Sequence, residues 1–133
     1  LDESATGILE DVGRWFDVNG EGIYETRPWY MYGEGKTEMP HKTIESPFTF
    51  RDIRYTTKGE YLYAFVLDWP GKRTVEMQFL APGNARIDGI QSVELLGHDG
   101  DVDWEHHPDG LRVTFPSDKP CEFAYCLKIK LSD

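Results

Sequence analysis

With 133 residues, 39% of them hydrophobic and 14% aromatic, the chain has the size and apolar content of one domain that buries a core without staples. Its formal net charge of −10 repels phosphate backbones and anionic lipid, and no basic patch offsets it, so nucleic-acid and membrane-surface roles are excluded. No apolar run reaches the ~18 residues of a membrane span, and the N-terminus lacks the basic-then-apolar layout of a signal peptide.

From Ser4 to Val18, Ile8, Leu9, Val12, Trp15 and Phe16 recur at spacings of three and four, the signature of one amphipathic helix. Ser4 or Thr6 can cap its start, and Asn19-Gly20 its end. So wide an apolar stripe must be buried on something: either the helix docks on the rest of the chain, or its partner lies elsewhere. Residues Arg27 to Gly35, broken by Pro28, Gly33 and Gly35, read as an irregular connector that carries the domain boundary.

Beyond a polar stretch from Pro40 to Pro47, the period changes to two. Phe48, Phe50, Ile53 and Tyr55 predict a half-buried strand, with a bulge where the alternation slips between Phe50 and Ile53. Tyr61, Tyr63, Phe65, Leu67 and Trp69 alternate with Leu62, Ala64 and Val66, so both faces are apolar and the strand is central. Lys58-Gly59-Glu60 allows only a hairpin between these two runs. Further strands are predicted at Val75 to Phe79, Ile90 to Leu96, Val102 to Glu105, Leu111 to Phe115 and Cys121 to Leu131, where Phe123, Tyr125, Leu127, Ile129 and Leu131 share a face. About seven strands with regular turn signals, and no helix between them, predict a mainly β fold: an antiparallel two-sheet β-sandwich preceded by one N-terminal amphipathic helix.

Few residues suggest chemistry. Asp99-Gly100-Asp101-Val102-Asp103 opens like a calcium loop, but Trp104 stands where the loop needs Gly and Gly110 where it needs a bidentate Glu, so a solvated acidic turn is expected. His106 and His107 diverge if they lie in a strand and otherwise read as a turn tip, which leaves no metal site. Cys121 and Cys126, five apart in one predicted strand, have Cα atoms roughly 16 Å apart and cannot bridge. Asp68, between Leu67 and Trp69, is read as a turn or sheet-edge carboxylate rather than a catalytic one. Trp29, Tyr32, Trp69 and Trp104 are the candidates for a sugar-stacking platform.

Gly13-Arg14-Trp15-Phe16, followed by Asn19-Gly20-Glu21-Gly22-Ile23-Tyr24-Glu25-Thr26-Arg27-Pro28-Trp29, resembles the end of the catalytic barrel in glycoside hydrolase family 29, the α-L-fucosidases. Arg54-Tyr55-Thr56, Tyr63 to Pro70, Val93 to Gly97 and Leu111 to Pro116 resemble the β-sandwich that follows that barrel. The resemblance implies two parts: 1–29 as the terminal helix and linker of a (β/α)8 barrel absent from this chain, and 30–133 as a C-terminal accessory sandwich. It implies that Ile8, Val12, Trp15, Phe16, Glu21 and Tyr24 are structural residues at the barrel interface. The family's Asp nucleophile and Glu acid/base lie upstream, and no position here matches either motif, so no catalytic residue and no cofactor is carried over. The implied partner is the catalytic barrel, in a periplasmic or secreted setting; the alternative reading is a carbohydrate-binding module that recruits fucosylated glycans through surface Trp and Tyr. Without the barrel, the helix stripe is expected to lie exposed, to self-associate or to re-dock.

Overall fold

The computed structural model describes residues 3–35, 48–83, 87 and 89–132. The side chains of Ile8, Leu9, Met31 and Tyr32 lie outside that description, as does the polar stretch from Pro40 to Pro47. Helix α1 spans Glu3–Asn19, one residue beyond the predicted range at each end, and a 3₁₀ turn at Gly20–Gly22 follows. No described helix is long and apolar enough to cross a membrane.

Among the described residues eight strands follow: β1 (Arg27–Glu34), β2 (Ile53–Lys58), β3 (Tyr61–Val66), β4 (Thr74–Met77), β5 (Gly89–Leu95), β6 (Asp103–His107), β7 (Gly110–Thr114) and β8 (Tyr125–Ser132). They form a five-stranded sheet in the order β1-β2-β3-β8-β5 and a three-stranded sheet in the order β4-β7-β6. Every pairing is antiparallel. Between the sheets lies the main core. The five-stranded sheet supplies Ile53, Leu62, Ala64, Val66, Leu127 and Ile129, and the three-stranded sheet Val75, Met77, Leu111 and Val113. The double-sided apolar pattern of β3 is explained by its place between β2 and β8. Leu62, Ala64 and Val66 face the core between the sheets, whereas Tyr63 and Phe65 belong to a second cluster on the outer face.

The β2–β3 hairpin forms as its turn chemistry demands, with Lys58 opposite Tyr61 and Gly59 at φ +60, the first loop position of a primed two-residue turn. Elsewhere the structure corrects the reading from sequence. Arg27–Glu34 is an edge strand, not a connector; Pro28 is tolerated at the edge, and the register slips between Pro28 and Gly33. The slip between Phe50 and Ile53 is a turn rather than a bulge: buried Asp52 accepts hydrogen bonds from the Thr49 backbone N–H (2.7 Å) and hydroxyl (3.3 Å), and β2 starts only afterwards. Phe79 sits in a 3₁₀ turn that ends β4. His106 and His107 belong to β6, with His106 Nε2 2.7 Å from the Leu80 carbonyl, so the turn tip is Pro108–Asp109.

The predicted strand from Cys121 also starts late. Cys121 to Ala124 form a loop, in which the Ala124 N–H donates to the Glu122 carbonyl (3.1 Å) across a Phe123 held at φ +80. This is the strained form of the γ-turn, and it turns the Phe123 ring into solvent, 67% exposed, rather than onto the shared face of Tyr125, Leu127 and Ile129. Replacing Phe123 with Gly removes a left-handed strain of about 1 kcal/mol or more at the loss of little packing. The expected result is a melting temperature equal to or above that of the parent chain in calorimetry; a clear drop would show that the ring packs within this domain.

Candidate functional site

The surface with the most built structure outside the core is where α1 and the Gly20–Gly22 turn lie on the outer face of the five-stranded sheet. Half-buried Trp15 donates from Nε1 to the Ala124 carbonyl (2.9 Å), and its ring lies 5.9 Å from that of Phe65. Val18 joins the same cluster and presses on Gly97, where a Cβ would stand 2.6 Å from Val18 Cγ1. Buried Asn19 donates from Nδ2 to the Trp15 carbonyl (3.2 Å) and the Cys121 sulfur (3.4 Å), closing the helix end.

The next three residues bring backbone onto sheet. At Gly22 a Cβ would lie 2.7 Å from Phe65 Cζ and 2.9 Å from Cys126 Sγ, both on buried residues, so only glycine fits. Thr56 Oγ1 donates to the Gly22 carbonyl (2.7 Å), and Lys58 Nζ to the carbonyls of Glu21 (3.2 Å) and Tyr24 (3.4 Å). Glu21 Oε2 accepts from Tyr63 Oη (2.9 Å) and pairs with Lys128 Nζ (2.9 Å), side chains brought side by side by the Tyr63–Lys128 register of β3 and β8.

The electrostatics follow from that triad. Burial alone pushes the Glu21 carboxyl up, but hydrogen bonds from Lys128 and Tyr63, with the charges of Lys128 and Lys58, leave it below its ordinary value. The Glu21 hydrogen bond raises Lys128. Burial, then the bond to Glu21 and its charge, push the Tyr63 phenol well above its ordinary range. Burial also pushes the Cys126 thiol up, which keeps it an inert packing group. Both cysteines are free, and Cys121, in the loop, lies outside the strand that carries Cys126.

The helix residues divide into two groups. Trp15 faces the sandwich, as do Val18 and Asn19. Val12 (46% exposed) and Tyr24 (59% exposed) do not, and the Phe16 ring stacks on Tyr24 at 5.7 Å. Ile8 lies outside the described side chains. The aromatic candidates for sugar stacking are not assembled into one set. Trp29 packs on the core with its ring 5.0 Å from Tyr55, and Trp69 on the core between Phe115 (5.2 Å) and Tyr125 (4.9 Å). Trp104 stands on edge strand β6, 37% exposed. The Tyr32 side chain is outside the description. Asp68 is exposed just after β3, and among the described residues no group of three or more His, Cys, Asp or Glu is arranged to hold a metal.

Sequence reasoning singled out Glu21 but missed its partners Tyr63 and Lys128. Their signal was the outward parity of both residues in two apolar-backed strands, which names a pair only once β3 and β8 are known to be neighbours.

Comparison with known proteins places these features. The family model described as the alpha-L-fucosidase C-terminal domain matches residues 46–130. The tissue α-L-fucosidase of Homo sapiens is 30% identical over 123 residues, 89% of this chain and 22% of that protein. The plasma α-L-fucosidase of Homo sapiens is 31% identical over 128 residues, 91% of this chain and 24% of that protein. The chain thus spans less than a quarter of the length of these relatives. Among solved structures, α-L-fucosidase isoenzyme 1 from Paenibacillus thiaminolyticus superposes with a TM-score of 0.65 at 25% identity, over 99% of this chain and 28% of that one. The α-fucosidase of Thermotoga maritima, at 19% identity and a TM-score of 0.59, covers 89% of this chain and 24% of that one and shares the fold.

Two outcomes test the site. Gly22→Ala forces a methyl against Phe65 and Cys126 and is expected to cost about 1–3 kcal/mol in denaturant unfolding. Glu21→Gln tests the triad through pH. Because the folded-state pKa of Glu21 lies below its ordinary value, its stabilisation is present above that ordinary value and is lost as pH falls through the folded one. The stability gap between parent and Glu21→Gln is therefore expected to be widest near neutral pH and to close below about pH 4. With the Glu21 side chain 42% exposed, solvent screens the pair and the gap stays modest. A gap that does not change with pH would remove the charge from the account.

Proposed function

The chain belongs to the α-L-fucosidase C-terminal domain family, and on that premise we propose that it is a non-catalytic accessory domain that packs on and stabilises the catalytic domain of an α-L-fucosidase. In this reading residues 1–29 carry the terminal helix and linker of a (β/α)8 barrel and residues 30–133 the sandwich behind it, with strand β1 (Arg27–Glu34) running across that boundary. The catalysed reaction is retaining hydrolysis of terminal α-linked L-fucose, with the nucleophile and the acid/base on the barrel.

The observation that carries the reading is the division of α1. One flank is used up on the sandwich through Trp15, Val18 and Asn19, while Val12 on another flank and Tyr24 beyond the helix end stay exposed, with the half-buried Phe16 ring between Trp15 and Tyr24. An apolar flank of this kind on a chain that spans about a quarter of its relatives fits a second domain resting on the helix. Glu21 supports a structural role for its segment, since its carboxylate is engaged by Tyr63 and Lys128 rather than held across a sugar-sized gap from a second carboxylate. The inward packing of Trp29 and Trp69 leaves a sugar-stacking role with less support than the accessory one.

The reading predicts that the isolated chain releases no product from a chromogenic α-L-fucoside. It also predicts that deleting residues 30–133 from the two-domain enzyme lowers the melting temperature of the catalytic part. Turnover by the chain alone, or a catalytic domain indifferent to the deletion, would overturn it.

A further inference from the structure

Glycines in a protein usually have a visible reason, and in this chain almost all do. Gly20, Gly22, Gly33 and Gly97 would meet neighbouring atoms at 2.7, 2.7, 2.4 and 2.6 Å if they carried a Cβ. Gly59, Gly71 and Gly83 have open space, and Gly100 only an ordinary contact to His98 at 3.6 Å, but all four adopt positive φ. Gly7 and Gly13 have neither reason: both are helical, and a Cβ at either meets nothing within 4 Å. Glycine inside a helix is costlier than alanine, because it gives up more backbone freedom and shields less backbone. Gly13 is in the middle of α1, so the helix is weakened there with no return visible within the described chain.

Its position on the helix supplies the reason. At about 100° per residue, Gly13 follows the Val12–Phe16 flank round α1, away from the Trp15 and Val18 side that meets the sheet. The exposed side of α1 therefore presents a notch at Gly13, bordered by Phe16 on the side of the apolar flank and by exposed Glu10 and Asp17 on the other. Small residues at a contact let two elements approach to the short end of the 8–10 Å range for helix axes. The occupant is indicated by length: the Paenibacillus thiaminolyticus structure aligns with 99% of this chain over only 28% of its own, so most of that protein lies outside the matched part.

We infer that Gly13 is the point of closest approach between α1 and the catalytic domain, so that α1 is packed on two faces at once, by the sandwich through Trp15 and by the barrel across Gly13. The inference rests on the accessory-domain reading above. The helix is then a shared element of both domains, and its own stability is reduced at Gly13 to admit the second.

The test is a change of sign. In the isolated chain, which has its own two-sided core, Gly13→Ala is expected to raise the melting temperature by about 2–4 °C, since the methyl enters open space and the helix gains. In the two-domain enzyme the same substitution is expected to lower it, and Gly13→Leu to lower it further, with the isolated chain tolerating both. A rise in both proteins would overturn the inference. If deleting residues 30–133 also leaves the catalytic domain unchanged, the accessory reading falls with it; if the deletion destabilises, only the role of Gly13 falls. Should the isolated chain sediment as a dimer that Gly13→Leu dissociates, a second copy covers the notch and the inference is again overturned.

Discussion

The contact between the Gly20–Gly22 turn and the outer face of β3 and β8 is the constraint on which the rest of the molecule depends. A sandwich normally turns its outer faces to water, and its strands then alternate apolar with polar. Here Tyr63, Phe65 and Cys126 face outward and are buried, because the Gly22 backbone lies on Phe65 and Cys126 and the side chains of Trp15 and Glu21 cover Phe65 and Tyr63. The absence of a Cβ at Gly22 sets the spacing, and the Glu21 carboxylate between Tyr63 and Lys128 sets the lateral position. Remove the turn, and β3 becomes a strand with two apolar faces in a sheet that covers only one.

A second constraint joins the sheets to each other. Glu34, at the end of edge strand β1, accepts from Tyr55 Oη (2.5 Å) and from the backbone N–H groups of Gln78 (2.8 Å) and Phe79 (3.2 Å). One carboxylate thus holds the five-stranded sheet to the 3₁₀ turn that follows β4. Burial, followed by the charge and hydrogen bond of Glu34, pushes the Tyr55 phenol well above its ordinary value, so it stays a protonated donor to Glu34 at neutral pH. Arg27–Glu34 is a strand for this reason as much as for its own composition: both ends are held, by pairing to Thr57 at one and by Glu34 at the other, across a middle in which the register slips.

Where local pattern and tertiary packing agreed, the fold was legible in the sequence. The α1 stripe, the double-sided β3, the Lys58–Glu60 hairpin and the two-sheet architecture all follow from periodicity and turn chemistry. The misreadings occurred where a polar side chain replaced backbone pairing or a partner outvoted propensity. Asp52 makes a turn that looks like a slip in alternation, Pro28 looks like a breaker but lies on an edge, and Phe123 fits the β8 face yet is turned out by a γ-turn centred on it. The candidate site was half legible, since the residues of the Asn19 to Tyr24 segment stood out while the outer-face residues that receive them looked like ordinary strand positions.

Docking on the sandwich also bears on how the helix can serve a second domain. A 17-residue helix with Gly7 and Gly13 in it is marginal in water, where nucleation is costly and each glycine weakens propagation. Trp15, Val18 and Asn19 anchor its C-terminal half, and the hydrogen bond from Trp15 Nε1 to Ala124 fixes its rotation about its axis. The Val12, Phe16 and Tyr24 flank is therefore presented in one orientation before any partner arrives. A partner that meets a preformed helix need not bear the entropy of folding it, so more of the burial of that flank appears as net association. The outward Phe65 of β3 and Cys126 of β8 are apolar because they lie under the surface on which α1 and the turn after it are held.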